Sequence, residues 1–171
     1  MLFVAVVVLA GAGIAAAVWF FLLRDDDGDG SDSELETYFA AAAPLINEID
    51  DRDFEVTVPG ETFLRYATFL VETGNDLSAV EPPEEAAAAH EELVGGLQDA
   101  TAALADLYDQ HEDAATIDEV TGILQEDVAL AAAFSRSAAA CTDLKALADE
   151  HGIDVTLDLC AGPAPTATDV S

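Results

Sequence analysis

Residues 80–111 read VEPPEEAAAAHEELVGGLQDATAALADLYDQH, and this stretch decides the fold. A proline suits the first helical position, where its missing N–H costs nothing, and Glu84 and Glu85 then meet the positive end of the helix dipole. From there His90, Leu93/Val94, Leu97, Ala100, Leu104 and Leu107/Tyr108 recur every three to four residues. That spacing puts them on one face and predicts an amphipathic helix running to about His111. Gly95-Gly96 falls mid-helix, which predicts close packing or a kink rather than a ligand loop. A helix of this length buries its stripe only if other helices cover it.

The flanking sequence supplies them. Leu35, Tyr38/Phe39, Ala42, Leu45/Ile46 and Ile49 predict a helix over 33–50, with Asp32 or Ser33 as its cap. Phe54, Val56 and Val58 alternate, as in an extended connector, and Pro59-Gly60 punctuates it. A second helix is expected over 61–78 from Phe63, Tyr66/Ala67, Leu70 and Leu77, with Gly74 a weak point. After His111, Thr116 and Glu119 form a capping box. They open a fourth helix, expected unbroken over 117–150, with Ile117, Val120, Leu124, Val128, Ala131, Phe134, Ala138, Cys141, Leu144 and Leu147 inward and Gly152 past its end. Four amphipathic helices with short connections predict an all-α, up-down-up-down bundle over 34–160.

Upstream the character changes. Leu2–Leu23 is an uncharged run of 22 residues that stops at Arg24-Asp25-Asp26-Asp27. As a helix it spans roughly 33 Å, enough to cross a bilayer, so residues 1–24 are read as a transmembrane anchor. No basic residue precedes the run, and cleavage at Ala10-Gly11-Ala12 would leave Gly13–Leu23 on the mature chain, which speaks against a cleaved signal peptide. Trp19, Phe20 and Phe21 suit an exit at the headgroups. Gly11/Ala15 and Gly13/Ala17 have the small-xxx-small spacing of a helix dimer, a match that comes cheaply in an Ala-rich segment. Residues 25–33 are an acidic hinge, and the tail 161–171 is expected to be disordered.

The chain holds 35 Asp+Glu against 5 Lys+Arg, a net charge of −30. That excludes a nucleic-acid partner and docking on anionic lipid, both of which need clustered cations. An apolar fraction of 51% is too high for disorder, so the acids must coat a packed fold. Such an excess suits a protein working in high salt, where self-repulsion is screened; the competing reading is a compositional habit of the genome.

Cys141 and Cys160 are the only cysteines. Between them Ile153, Val155, Leu157 and Leu159 alternate, which predicts an extended segment lying back along the bundle. An even count in an exported domain suggests a disulfide clipping this segment to the fourth helix, worth about 3 kcal/mol in the chain-entropy model. Two separate buried thiols are the alternative. Orientation turns on this pair: Arg24 argues for a cytoplasmic domain, the cysteines for an extracytoplasmic one, and the second is favoured.

Asp25-x-Asp27-x-Asp29-Gly30-x5-Glu36 matches the EF-hand loop pattern, with Ser31 offering its carbonyl and Ser33 a ligand or water. Against Ca²⁺ stand Asp32 at the usually apolar eighth position, the lack of a second loop, and a membrane span as incoming helix. A solvated acidic spacer is the competing reading. The Glu-x-x-His pattern of di-metal bundles is missing at His90, His111 and His151. His90 and His111 stand about 31 Å apart on one helix, too far to share an ion, and His90 is expected to pack or cap locally. No nucleophilic triad or phosphate loop can be assembled, so no enzyme is expected.

The runs VEPPEEAAAAHEELVGGL (80–97) and ACTDLKALADEHGIDVTLDLC (140–160) resemble uncharacterised exported, lipoprotein-like helical proteins of high-GC bacteria. The resemblance covers residues 34–160 and implies an extracytoplasmic bundle with a disulfide and no known activity. This chain departs from the lipoprotein members in having no lipobox cysteine, so its attachment rests on Leu2–Leu23. The expected function is a membrane-anchored, extracytoplasmic interaction or structural module. The alternative is a Ca²⁺- or small-ligand-binding sensor or accessory domain.

Overall fold

The computed structural model describes residues 30–50 and 58–161, and the described residues hold five α-helices and no strand. These are α1 (Gly30–Asp50), α2 (Glu61–Ser78), α3 (Glu84–His111), α4 (Ile117–Glu126) and α5 (Val128–Glu150), followed by a 3₁₀ turn, Asp158–Ala161. The expected anchor 1–24, residues 51–57 and most of the expected tail lie outside the described residues.

Helix α3 is the central element and packs chiefly against α5 and α2. Its expected stripe is buried from His90 to Leu107, with Val94 and Tyr108 half-covered at the margins. The chain directions follow from the contacts. Gly60, just before α2, rests against the carbonyl of Glu112, just past the end of α3, so these helices run antiparallel. Gly96 of α3 faces Ala133 and Ser137 of α5, and the two chain ends beyond them meet where His151 reaches Glu85. Helix α1 runs parallel to α3, because Asp32 meets His151 at the level of Glu85 while Tyr38 meets His90. This is the up-down-up-down order.

Four differences from the sequence reading have local causes. Helix α1 starts at Gly30, inside the assigned hinge, so Asp32 and Ser33 lie in its first turns and do not cap it. It also carries Pro44 in its interior, where the ring removes one backbone hydrogen bond. Pro83 is the N-cap of α3 rather than its first helical residue.

The largest difference is the break in the expected fourth helix. Asp127 takes an extended conformation (φ −75°, ψ 116°) and ends α4 while its carboxylate accepts from Leu130 N at 2.6 Å, capping α5. The break rephases the stripe. Leu130, Ala133, Ser137, Ala140, Cys141, Leu144 and Ala148 face the core, whereas Val128 is 80% exposed and Ala131 is also outward. The capping box at Thr116 forms with a shift: Glu119 N donates to Thr116 Oγ1, but the Glu119 carboxylate accepts from Ala115 N.

Small residues set the spacing of α3 and α5. A Cβ on Gly96 would lie 2.3 Å from Ser137 Oγ and 3.0 Å from its backbone nitrogen. Only a residue without a side chain allows that approach. Beyond α5 the chain reverses at Gly152 (φ 67°). Ile153 N donates to Ala148 O and Gly152 N to Asp149 O, the paired bonds of a Schellman motif. Residues 153–157 then alternate, Ile153, Val155 and Leu157 inward and Asp154 and Thr156 outward, and Asn47 of α1 donates to Thr156 O at 2.9 Å. The alternation yields to the 3₁₀ turn, which carries Cys160 to Cys141, and the two form a disulfide with Cα atoms 5.1 Å apart.

Candidate functional site

The polar groups that the fold draws together lie on the outer flank of α3, near its N-terminal half. His90 sits on the apolar stripe and is only 6% exposed. Its Nδ1 lies 3.1 Å from the hydroxyl of Tyr38 on α1, 52 residues away, and the two rings meet edge to face. Burial pushes the His90 imidazole below its ordinary value and the Tyr38 phenol above its own, so both are neutral.

The tautomer follows from satisfaction of buried groups. Tyr38 is 2% exposed, and His90 is the partner its hydroxyl finds. Were Nδ1 the donor, the phenolic hydrogen would be buried without an acceptor, at about 1–3 kcal/mol. Tyr38 O–H therefore donates to Nδ1, and the imidazole proton sits on Nε2. No fully buried side-chain nitrogen or oxygen lacks a partner among the described residues.

Beside His90 lies a groove of about 530 Å³ lined by Ser78, His90, Glu91, Val94, Gly95, Gln98, Asp99 and Arg136. Arg136 comes across from α5. Its Nε donates to Glu92 at 2.5 Å and its Nη1 to Asp99 at 2.8 Å, one carboxylate on each side of Gly95. Hydrogen bonding to Arg136 holds the Glu92 carboxyl below its usual range, and Glu92 followed by Asp99 holds the guanidinium charged. The guanidinium lies directly over Gly95, where a Cβ would come 2.8 Å from Nη2. Gly95-Gly96 thus marks close packing twice over: side chain on Gly95, backbone on Gly96.

A second clasp closes the end of the bundle nearest the hinge. His151 Nδ1 lies 2.7 Å from Asp32 and Nε2 lies 3.4 Å from Glu85. The hydrogen bond to Asp32, more than the charge of Glu85, raises this imidazole above its ordinary value.

Most residues of the calcium reading cannot be compared with the fold. Asp25, Asp27 and Asp29 lie outside the described residues. Ser31 and Glu36 stand on α1, five positions and roughly 140° apart around the helix axis, which does not bring them to one ion. Among the described residues no group of three His, Cys, Asp or Glu could hold a metal. Sequence reading located His90 but not its partner Tyr38, and missed Arg136 altogether. A lone arginine on an exposed face gives no periodic signal; its only herald was the glycine pair beneath it.

Compared with protein-family models, curated proteins and solved structures, the chain matches none. What fold and site define is a class: an all-α bundle with a disulfide-clipped C-terminal segment and a polar groove on its central helix.

Proposed function

We propose that the chain is a single-pass, membrane-anchored, extracytoplasmic helical bundle that serves the cell envelope by binding or by structure rather than by catalysis. The observation that carries this reading is the bond between Cys141 and Cys160. Disulfides form and persist in oxidising compartments and are rare in the cytosol. Among the described residues no helix is long and apolar enough to cross a membrane, so attachment rests on Leu2–Leu23. Helix α1 begins at Gly30, a few residues after that run in sequence, and in this reading the His151 clasp is the membrane-proximal end. Self-association, in this reading, belongs to the anchor and its small-xxx-small spacing.

Alkylation of acid-quenched intact cells, followed by mass mapping without reductant, tests it. Both cysteines should be protected and linked. Free thiols at 141 and 160 in the cell would overturn it. The second reading, a small-ligand-binding accessory domain, is favoured by the groove beside His90. Its calcium form draws no support from the placement of Ser31 and Glu36.

A further inference from the structure

Helix α1 begins at Gly30, but its apolar seat begins at Leu35. Asp32, Ser33 and Glu34 are all exposed, so none of them anchors the first turn by burial. Among the described residues, the contact that reaches this turn from the rest of the fold is His151, the C-cap of α5, 119 positions along the chain. Its Nδ1 lies 2.7 Å from Asp32, and its Nε2 lies 3.4 Å from Glu85 in the first turn of α3. From Leu35 onward the seat is hydrophobic, with Leu35, Phe39, Ala42 and Ile46 buried, and needs no proton.

A carboxylate at each ring nitrogen demands a proton on each. A neutral imidazole has one N–H and one lone pair, so it can donate to Asp32 or to Glu85 but turns a lone pair toward the other. The charged groups acting on the ring are Asp32 from α1, Glu85 from α3 and Glu150 beside it on α5, all of them acids. The other cations of α5, Arg136 and Lys145, are engaged by Glu92, Asp99 and Asp149. Once the ring is neutral, no described cation takes its place between the acids. The hydrogen bond to Asp32, ahead of the charges of Glu85 and Glu150, raises the imidazole above its ordinary value. The clasp is therefore complete below about pH 6.5 and opens as pH rises through the raised value. An exposed pair of this kind shifts an equilibrium only about two- to fivefold. That is too little to lift the buried stretch from Leu35 on, but enough to govern a turn that burial does not hold.

We propose that His151 is a pH-operated latch on the first turn of α1: protonated, it docks that turn against α3 and α5, and neutral, it lets the turn swing about Leu35 while the bundle stays folded. In the membrane-anchored reading, on which this consequence alone rests, the latch decides whether the bundle is held stiffly or loosely by its anchor.

The test follows ¹⁵N relaxation and Cα chemical shifts of residues 32–34 in the full chain in nanodiscs, from about pH 6 to about pH 9. The ratio of docked to free first turn should fall about two- to fivefold. Its midpoint should coincide with that of the His151 imidazole signal, while order in α3 and in α1 beyond Leu35 is unchanged. His151→Ala should show the loosened turn at every pH. Glu85→Gln removes one acid from the ring and should move both midpoints down together. The proposal is overturned if residues 32–34 keep their order across the His151 titration, if the pH response survives in His151→Ala, if the two midpoints part in Glu85→Gln, or if all of α1 loosens with its first turn. Because no readout depends on which side of the membrane the domain occupies, a failed topology test leaves this one standing, and the reverse.

Discussion

Gly95 and Gly96 are neighbours with opposite predicted responses to the same substitution. A Cβ on Gly96 meets the Ser137 and Ala133 backbone, which cannot yield without separating α3 from α5. Gly96→Ala should destabilise the domain by about 1–3 kcal/mol despite a gain in helix propensity. A Cβ on Gly95 meets only the end of the Arg136 side chain, which can shift. Gly95→Ala should be neutral or stabilising by up to about 1 kcal/mol. Urea unfolding of the two variants, with unchanged m-values, checks both. The histidines also respond in opposite senses to pH. Asp32, then Glu85, raises His151, so its contribution is complete below the ordinary histidine value of about 6.5 and is lost as pH rises through the raised folded value. Burial lowers His90, so its contribution is complete above about 6.5 and falls as pH drops toward the lowered value. The stability difference between wild type and His151→Gln should therefore be largest in mild acid and vanish in mild alkali; a difference that grows with pH contradicts the His151 clasp. At this scale the sequence was legible where a residue sat on a periodic stripe, as His90 does. It was silent where two residues 52 positions apart had to meet, as Tyr38 and His90 do.

Among the elements, the helices came through periodicity and capping chemistry. The second was read at its observed bounds, 61–78, because Pro59-Gly60 and a regular stripe delimit it. The fourth was read as one helix because nothing in residues 117–150 breaks the apolar spacing. The interruption is carried by one aspartate, whose side chain offers its own backbone a cap in place of a helical turn. Asp127→Ala removes that cap and should cost about 1 kcal/mol. Hydrogen exchange should then show loss of protection confined to the first turn of α5, around Leu130; unchanged protection there contradicts the capping role. The inward residues of α5 illustrate the cost of a missed break: Cys141 and Leu144 were placed correctly, but Val128 and Ala131 were not.

For the molecule as a whole, charge and covalent linkage decide. Every described lysine or arginine, Arg65, Arg136 and Lys145, is already paired with a carboxylate, so the remaining acids repel one another across the surface. Their repulsion reaches about 3 Å at 1 M salt but about 30 Å at 0.01 M. If the composition is an adaptation to salt, helicity measured by circular dichroism should fall as ionic strength drops to the millimolar range; an unchanged spectrum assigns the acidity to composition alone. The disulfide closes a loop with a sequence separation of 19. Its removal should lower stability by about 3 kcal/mol and release residues 153–160 from α1. The central claim, an anchored domain outside the cytoplasm, is tested most directly by adding an impermeant protease to intact spheroplasts. The account predicts that the domain is digested while cytoplasmic markers survive. A domain that stays intact until the membrane is lysed, and is digested only then, would contradict it.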